Sequence, residues 1–123
     1  MDTTQIIILA FVLLIVLLRV KKYLTARSLK NYTPEEVKQL LKRNGNIVLL
    51  DVRTDRERKS GSIKPSIHIP LHEISHKADD LKKYGTREIV CYCQTGSRSV
   101  SATAKLKKLG FNSANLIGGY VRW

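Results

Sequence analysis

The chain has 123 residues, enough for one domain of ordinary size and too few for two. A hydrophobic content of 43% with 26% charged residues excludes general disorder, and two cysteines separated by a single residue exclude a disulfide framework. The 22 Lys and Arg against 10 Asp and Glu, a formal +12, suit an anionic partner. A membrane surface fits better than nucleic acid. Arg19, Lys21, Lys22, Arg27 and Lys30 directly follow an apolar run, whereas the other cations are scattered, with no aromatic interleaving and no nucleic-acid motif.

The apolar run, residues 6–18, has no polar side chain. At 13 residues it is shorter than the roughly 20 of a comfortable span, and Val20, Leu24 and the stems of Arg19, Lys21 and Lys22 extend it. A cleaved signal peptide places its cations before the apolar run and small residues after it. Here Met1 to Gln5 carry no Lys or Arg, and a cationic stretch follows the run, so an uncleaved anchor is the better reading. The positive-inside rule then puts the N-terminus outside and the rest of the chain in the cytoplasm. The expected organisation is a transmembrane anchor over 1–24, a basic linker over 25–32 and a folded domain over 33–123.

Thr33-Pro34-Glu35-Glu36 starts a helix, with Thr as N-cap, Pro at the first position and acids on the positive end of the dipole. Val37, Leu40 and Leu41 continue it at helical spacing, and Asn44-Gly45 stops it. Residues 47–50 are uninterruptedly apolar and end in Asp51, which suggests a strand covered on both faces. A very short strand is expected within 67–70, a helix over 71–81, a second buried strand over 88–93, a helix over 99–109 stopped by Gly110, and a last short strand over 114–117. Strands alternating with helices predict an α/β fold, a small parallel sheet flanked by helices.

The chemistry concentrates in Cys93-Gln94-Thr95-Gly96-Ser97-Arg98-Ser99. Cys93 ends a buried strand, a short loop follows, and a helix begins. Sites in parallel sheets gather at the carboxyl ends of strands. A loop entering a helix aims its N–H groups at one point and adds the positive end of the dipole. A cysteine at that focus reacts as the thiolate. Gly96 lets the loop curl, and Arg98 supplies a fixed charge and a planar fork for an anionic substrate. Cys91 shares a strand face with Cys93 and is most simply a packed core thiol, the alternative being a resolving partner. His72 and His76, four apart on the expected helix, lack a third ligand, so no metal site is expected.

These residues resemble the active-site loop of the rhodanese (sulfurtransferase) family. Leu50-Asp51-Val52-Arg53 is similar to the family's DVR strand end. Glu57, Gly61, Ile63, Ile67, Ile69 and Pro70 follow the spacing of its E-x-x-x-G-x-I…I-x-I-P segment, and Leu116, Gly118, Gly119 and Trp123 resemble its closing L-x-GG…W. Together they cover about residues 31–123. Ser62 replaces a common His, Arg58 a common aromatic, and Lys64-Pro65-Ser66 a usual Pro-Gly-Ala. Four residues separate Cys93 from Arg98, whereas related phosphatases and arsenate reductases carry C-x5-R, a wider cradle for a tetrahedral oxyanion. The resemblance therefore implies sulfur transfer from thiosulfate or a protein persulfide to a thiol or cyanide through a Cys93 persulfide, without a metal or organic cofactor. It also implies substrate contacts from Gln94, Thr95, Gly96, Ser97 and Arg98, with Asp51 and Arg53 holding loop ends together. The expected partners are a small sulfur-donor anion or a persulfide-bearing protein, and a membrane with anionic lipid. The rival from another class is a non-enzymatic recruitment module tethered to a membrane. The sequence carries no signal of oligomeric state.

Overall fold

The computed structural model describes residues 1–43 and 45–123. Five strands form one parallel sheet: β1 (Asn31–Tyr32), β2 (Ile47–Asp51), β3 (Ile67–His68), β4 (Glu88–Tyr92) and β5 (Ser113–Leu116), in the order β1-β5-β4-β2-β3. The helices are α1 (Thr3–Ser28), α2 (Pro34–Lys42), α3 (Asp55–Lys59), α4 (Ile74–Lys77) and α5 (Ser97–Lys108).

The two central strands have no polar face because both of their faces are covered. Every residue of β2 and of β4 is buried. On one side Leu50, Ile89 and Cys91 pack with Ile74, Leu81, Ala102 and Leu106, beneath α4 and α5. On the other, Ile47, Leu49, Val90 and Tyr92 pack with Val37, Ala114 and Leu116, with Leu40 and Leu41 of α2 at the margin. The alternation of side chains along a strand assigns each residue its face. At about 1.5–3 kcal/mol for each fully buried large apolar side chain, these two layers supply most of the driving force for folding.

Strand order also positions a site. From β2 the chain proceeds to β3 at one edge, then returns to β4 on the other side of β2, and from β4 it moves away toward β5. The direction of winding reverses between β2 and β4, and loops leaving neighbouring strands in opposite directions open a crevice at their carboxyl ends. Asp51 ends one of these strands and Cys93 follows the other.

Several expectations need correction. The helix expected over 71–81 is broken into a 3-10 turn (Leu71–Glu73), the single turn of α4, and a 3-10 stretch (Ala78–Tyr84). Its apolar residues, Leu71, Ile74, Ala78 and Leu81, lie three and four apart, spacings that tighter turns satisfy equally well. The helix expected to begin at 99 begins at Ser97, and the last strand lies one residue earlier than 114–117. In the stretch 25–32, read as linker, α1 continues to Ser28 and β1 pairs with β5. α3 has no counterpart among the predicted elements, although Thr54 and Glu57 form a capping box at its start. The stop expected at Asn44-Gly45 falls, at Asn44, outside the described residues. α2 begins as its sequence implies, with the Thr33 hydroxyl accepting from Glu36 N–H at 3.2 Å.

α1 differs from every other element. It is the longest of the described elements and, with no buried residue along its 26, is long and apolar enough to cross a bilayer.

Candidate active site

Cys93 leaves β4 with its side chain on the same face as that of Cys91, and its sulfur is enclosed: the residue is 1% exposed. The loop wraps this sulfur. Gly96 N–H donates to Sγ at 3.0 Å, and the Ser99 hydroxyl lies 3.5 Å away from the helix side. Burial pushes the Cys93 thiol up, but hydrogen bonds from the Ser99 hydroxyl and from the N–H groups of Ser99, Gly96 and Thr95 outweigh it, so the thiol is held below its ordinary value. Cys91 receives no such convergence of donors, and burial pushes it up to about 12. Two buried thiols on one strand face are thus shifted in opposite directions, Cys91 away from the thiolate and Cys93 toward it.

Gly96 adopts φ +103°, a left-handed conformation that turns its N–H back toward the sulfur. Support comes from the other end of the domain. Tyr120 N–H donates to the Cys93 carbonyl at 2.8 Å and Val121 N–H to the Gln94 carbonyl at 3.1 Å, from the turn that follows Gly118-Gly119. A Cβ on Gly119 would lie 2.5 Å from the Cys93 carbonyl oxygen and 2.7 Å from that of Gln94, closer than any side chain tolerates. The closing glycines therefore let the C-terminal turn back the Cys93 loop.

The end of β2 forms the second wall. Asp51 and Arg53 are fully buried, with Arg53 Nε 3.0 Å and Nη2 2.8 Å from the carboxylate, Arg53 N–H donating at 2.9 Å and the Tyr92 hydroxyl at 3.0 Å. Burial raises the Asp51 carboxyl, and the Arg53 guanidinium with these hydrogen bonds brings it below the ordinary carboxylate range. Arg53 then reaches across the crevice, donating to Gln94 Oε1 at 3.0 Å and to the Gly61 carbonyl at 2.6 Å, with Tyr120 stacked 4.4 Å from its guanidinium. This arrangement ties the end of β2 to the Cys93 loop. Arg58 joins the same corner, with Nη1 3.3 Å from Asp51 and 2.8 Å from the Ser66 hydroxyl. The cation at 58 and the hydroxyl at 66 thus make one hydrogen-bonded unit.

Arg98 projects from the first turn of α5 and presents its fork to Glu57 of α3, with Nη1–Oε1 at 2.7 Å and Nη2–Oε2 at 2.8 Å. The Arg98 hydrogen bonds hold the Glu57 carboxyl down to about 2 against the opposing effect of burial, with help from Thr54. The pair compensates the charge of Arg98 at this corner, and Glu57 enters the site as the residue that orients it. The sequence marks Glu57 through its capping box with Thr54, but nothing local reveals a partner 41 positions away.

Of the sequence-predicted site residues, the structure places Cys93, Gln94, Thr95 and Gly96 in the loop and Ser97 and Arg98 in the first turn of α5, and joins this stretch to Asp51 and Arg53. Thr95 and Ser97 are exposed at its rim. Two open grooves flank the loop. One of about 360 Å³ is lined by Val52, Pro70, Leu71, Arg98 and Lys105 among others, and one of about 330 Å³ by Arg56, Glu57, Gln94 and Tyr120. Among the described residues no three His, Cys, Asp or Glu side chains come together, and His72 and His76 are both exposed.

The match of the rhodanese-like domain to residues 33–123 accords with this architecture, and the chain belongs to that family. It is 33% identical over 90 residues to a sulfurtransferase of Allochromatium vinosum, covering 72% of this chain and 82% of that protein. A putative sulfurtransferase of Bacillus subtilis is 30% identical over 95 residues, covering 77% and 90%. Among solved structures, the human single-domain sulfurtransferase TSTD1 superposes with a TM-score of 0.66 at 27% identity, covering 76% of this chain and 93% of that one.

Proposed function

We propose that the chain is a sulfurtransferase in which Cys93 carries sulfane sulfur as a persulfide. The observation that carries this reading is the contrast between Cys91 in β4 and Cys93 just beyond its end: Cys93 Sγ accepts from Gly96 N–H at 3.0 Å and its thiol is held below its ordinary value, while Cys91 is pushed up to about 12. The sulfurtransferase names of its relatives support the same reading.

With thiosulfate as donor, the Cys93 thiolate attacks the outer sulfur. The donor's S–S bond breaks, its electron pair leaves with sulfite, and a new S–S bond makes Cys93–S–S⁻. Gly96 N–H and its neighbours donate to the negative sulfur in both states, so little reorganisation accompanies the step. A thiol or cyanide then removes the outer sulfur and restores the thiolate, a ping-pong scheme. A protein persulfide would enter by the same displacement.

The N-terminal helix gives this enzyme its place. α1 serves as a single-pass anchor whose cationic end stays in the cytoplasm against anionic lipid, each basic side chain adding about 1 kcal/mol near the surface. The reducing cytoplasm keeps Cys93 a free thiol.

Intact mass after incubation with thiosulfate tests the chemistry. The wild-type chain gains one sulfur atom, Cys93→Ser gains none, and a wild-type chain that gains none overturns the proposal. Protease added to intact cells or spheroplasts tests the topology. The domain survives while the cells are sealed, and its digestion from outside reverses the orientation.

A further inference from the structure

The N-terminal helix is fixed to the domain at its C-terminal end. Asn31 Nδ2 donates to the carbonyls of Ala26 at 3.1 Å and Leu29 at 2.9 Å, and Asn115 Nδ2 of β5 holds Asn31 Oδ1 at 3.0 Å. Leu29 is buried, so the joint has an apolar contact as well as a polar one. Seven residues before Leu29, Lys22 Nζ donates to the Ser97 hydroxyl at 2.6 Å, a contact spanning 75 positions. Ser97 is the first residue of α5 and follows Gly96, whose N–H meets the Cys93 sulfur. An element that lies outside the family match at 33–123 thus reaches the rim of the site.

The charges around the loop make this contact consequential. Three cations make hydrogen bonds at the loop: Arg53 through Gln94, Arg98 as part of it, and Lys22 through Ser97. Arg53 is paired with Asp51 and Arg98 with Glu57, each through two or more short contacts. Among the described residues Lys22 has no carboxylate partner within ion-pair distance. It is the uncompensated cation bonded to this rim. A thiolate attacking a dianion meets like-charge repulsion, and a fixed positive charge at the mouth reduces it before the sulfurs come into contact.

We propose that Lys22 is a donor-binding residue that sets the preference of the site for anionic sulfur donors of the thiosulfate type, so that the N-terminal helix completes the site of the domain. This rests on the sulfur-transfer reading above. The step it assists is balanced: thiolate and thiosulfate dianion give the persulfide anion and sulfite dianion, and Lys22 keeps its proton throughout. Lys22 lies four residues beyond Leu18, the last of the apolar run, or about 6 Å along a helix axis. The donor therefore meets the loop at the level of the lipid headgroups.

The test uses the full chain in nanodiscs of uncharged phosphatidylcholine and follows formation of the Cys93 persulfide by mass against donor concentration. Two donors are compared, thiosulfate and the methanethiosulfonate monoanion, and discharge of the loaded chain by dithiothreitol is timed separately. Lys22→Gln lowers kcat/KM for thiosulfate about fivefold, the scale of one exposed charge pair, and lowers it less for the monoanion. Lys22→Arg restores most of the loss, Lys21→Gln changes neither donor by more than about twofold, and discharge is unaffected in all variants. Equal losses in Lys22→Gln and Lys21→Gln, equal losses with both donors, or a parallel slowing of discharge each overturn the proposal. Unchanged loading of Lys22→Gln overturns this proposal alone, while a wild-type chain that takes no sulfur overturns it together with the sulfur-transfer reading.

Discussion

The middle of β4 and the loop that follows it put the same side chain into two opposite electrostatic environments. Cys91 and Cys93 point to the same face, pack in the same apolar layer and are both almost wholly removed from solvent. Burial acts on both in one direction, against the thiolate. At Cys91 the ladder of the sheet consumes the neighbouring N–H groups, because β2 and β5 flank β4 along its length. At Cys93 the strand has ended, so the Ser99 hydroxyl and the amides of residues 95, 96 and 99 converge on the sulfur, and together they reverse the sign of the shift. The sign of the shift here follows the placement of hydrogen-bond donors, not exposure. A sequence carrying C-x-C does not distinguish the two sulfurs. The end of the strand does.

The sharpest way to break this comparison is to exchange the roles of the two cysteines. Cys93→Ser is expected to abolish sulfur loading with the fold intact, since serine keeps the size and the hydrogen bonds of the loop. Cys91→Ser retains loading and loses about 1–3 kcal/mol of stability, because it places a hydroxyl in an apolar layer. Denaturant titration and intact mass, read on the same samples, separate the two effects. A small alkylating reagent provides the parallel chemical test. The native chain takes one label at neutral pH, on Cys93, and takes the second only after unfolding. Labelling of native Cys91 would contradict the assignment.

The walls around the loop come next in size. Arg53→Met leaves Asp51 buried without its main partner, a loss on the scale of about 3–5 kcal/mol against a total stability of about 5–15. A large drop in the denaturation midpoint is expected. Gln94 also loses its donor, so the loading rate of the molecules that remain folded should fall too. If that rate were unchanged, Arg53 would support the fold without organising the loop.

Glu57→Gln acts more selectively. It removes the charge that holds Arg98, so loading from thiosulfate should slow by about tenfold, near 1.4 kcal/mol of barrier, with little change in melting temperature. Arg98→Lys should not restore a fork-to-fork pair, because an ammonium offers no planar double donor. A gain in thiosulfate loading on Glu57→Gln would mean that Arg98 works best as an unpaired receiver of the anion, and that comparison measures its part in substrate binding directly.

The smallest expected effect is on acid stability. The Glu57 carboxyl is lowered from its ordinary 4.5 to about 2 by the hydrogen bonds from Arg98, and Asp51 is also lowered. Groups depressed in the folded state stabilise it fully above their unfolded values, and that contribution is lost as pH falls toward their folded ones. Thermal melts between pH 6 and 2 should therefore decline below about 4.5, and Glu57→Gln should flatten part of the decline. A melting temperature constant down to pH 3 would show that the pair contributes nothing measurable.

Local pattern determined much of this protein by itself. The apolar runs 47–50 and 89–92 lie in strands covered on both faces because an unbroken apolar run has no side to offer water, and Thr33-Pro34-Glu35-Glu36 starts a helix through contacts within four residues. The same locality made the loop legible, since Cys93, Gly96 and Ser99 lie within seven positions and a strand end followed by a helix start defines their geometry. Contacts whose two halves lie far apart in the chain were decided only in the tertiary structure. β1 is two residues long and exists because β5 lies beside it, and the run from 71 to 84 breaks into short turns while the spacing of its apolar residues stays compatible with one helix. The pairing of Arg98 with Glu57, the backing of the loop by Gly119, and the reach of Lys22 to Ser97 likewise join segments that no local pattern connects. Propensity, periodicity and capping act over a turn of helix or a few residues of strand, whereas charge compensation and close approach depend on which distant segments the sheet order brings together.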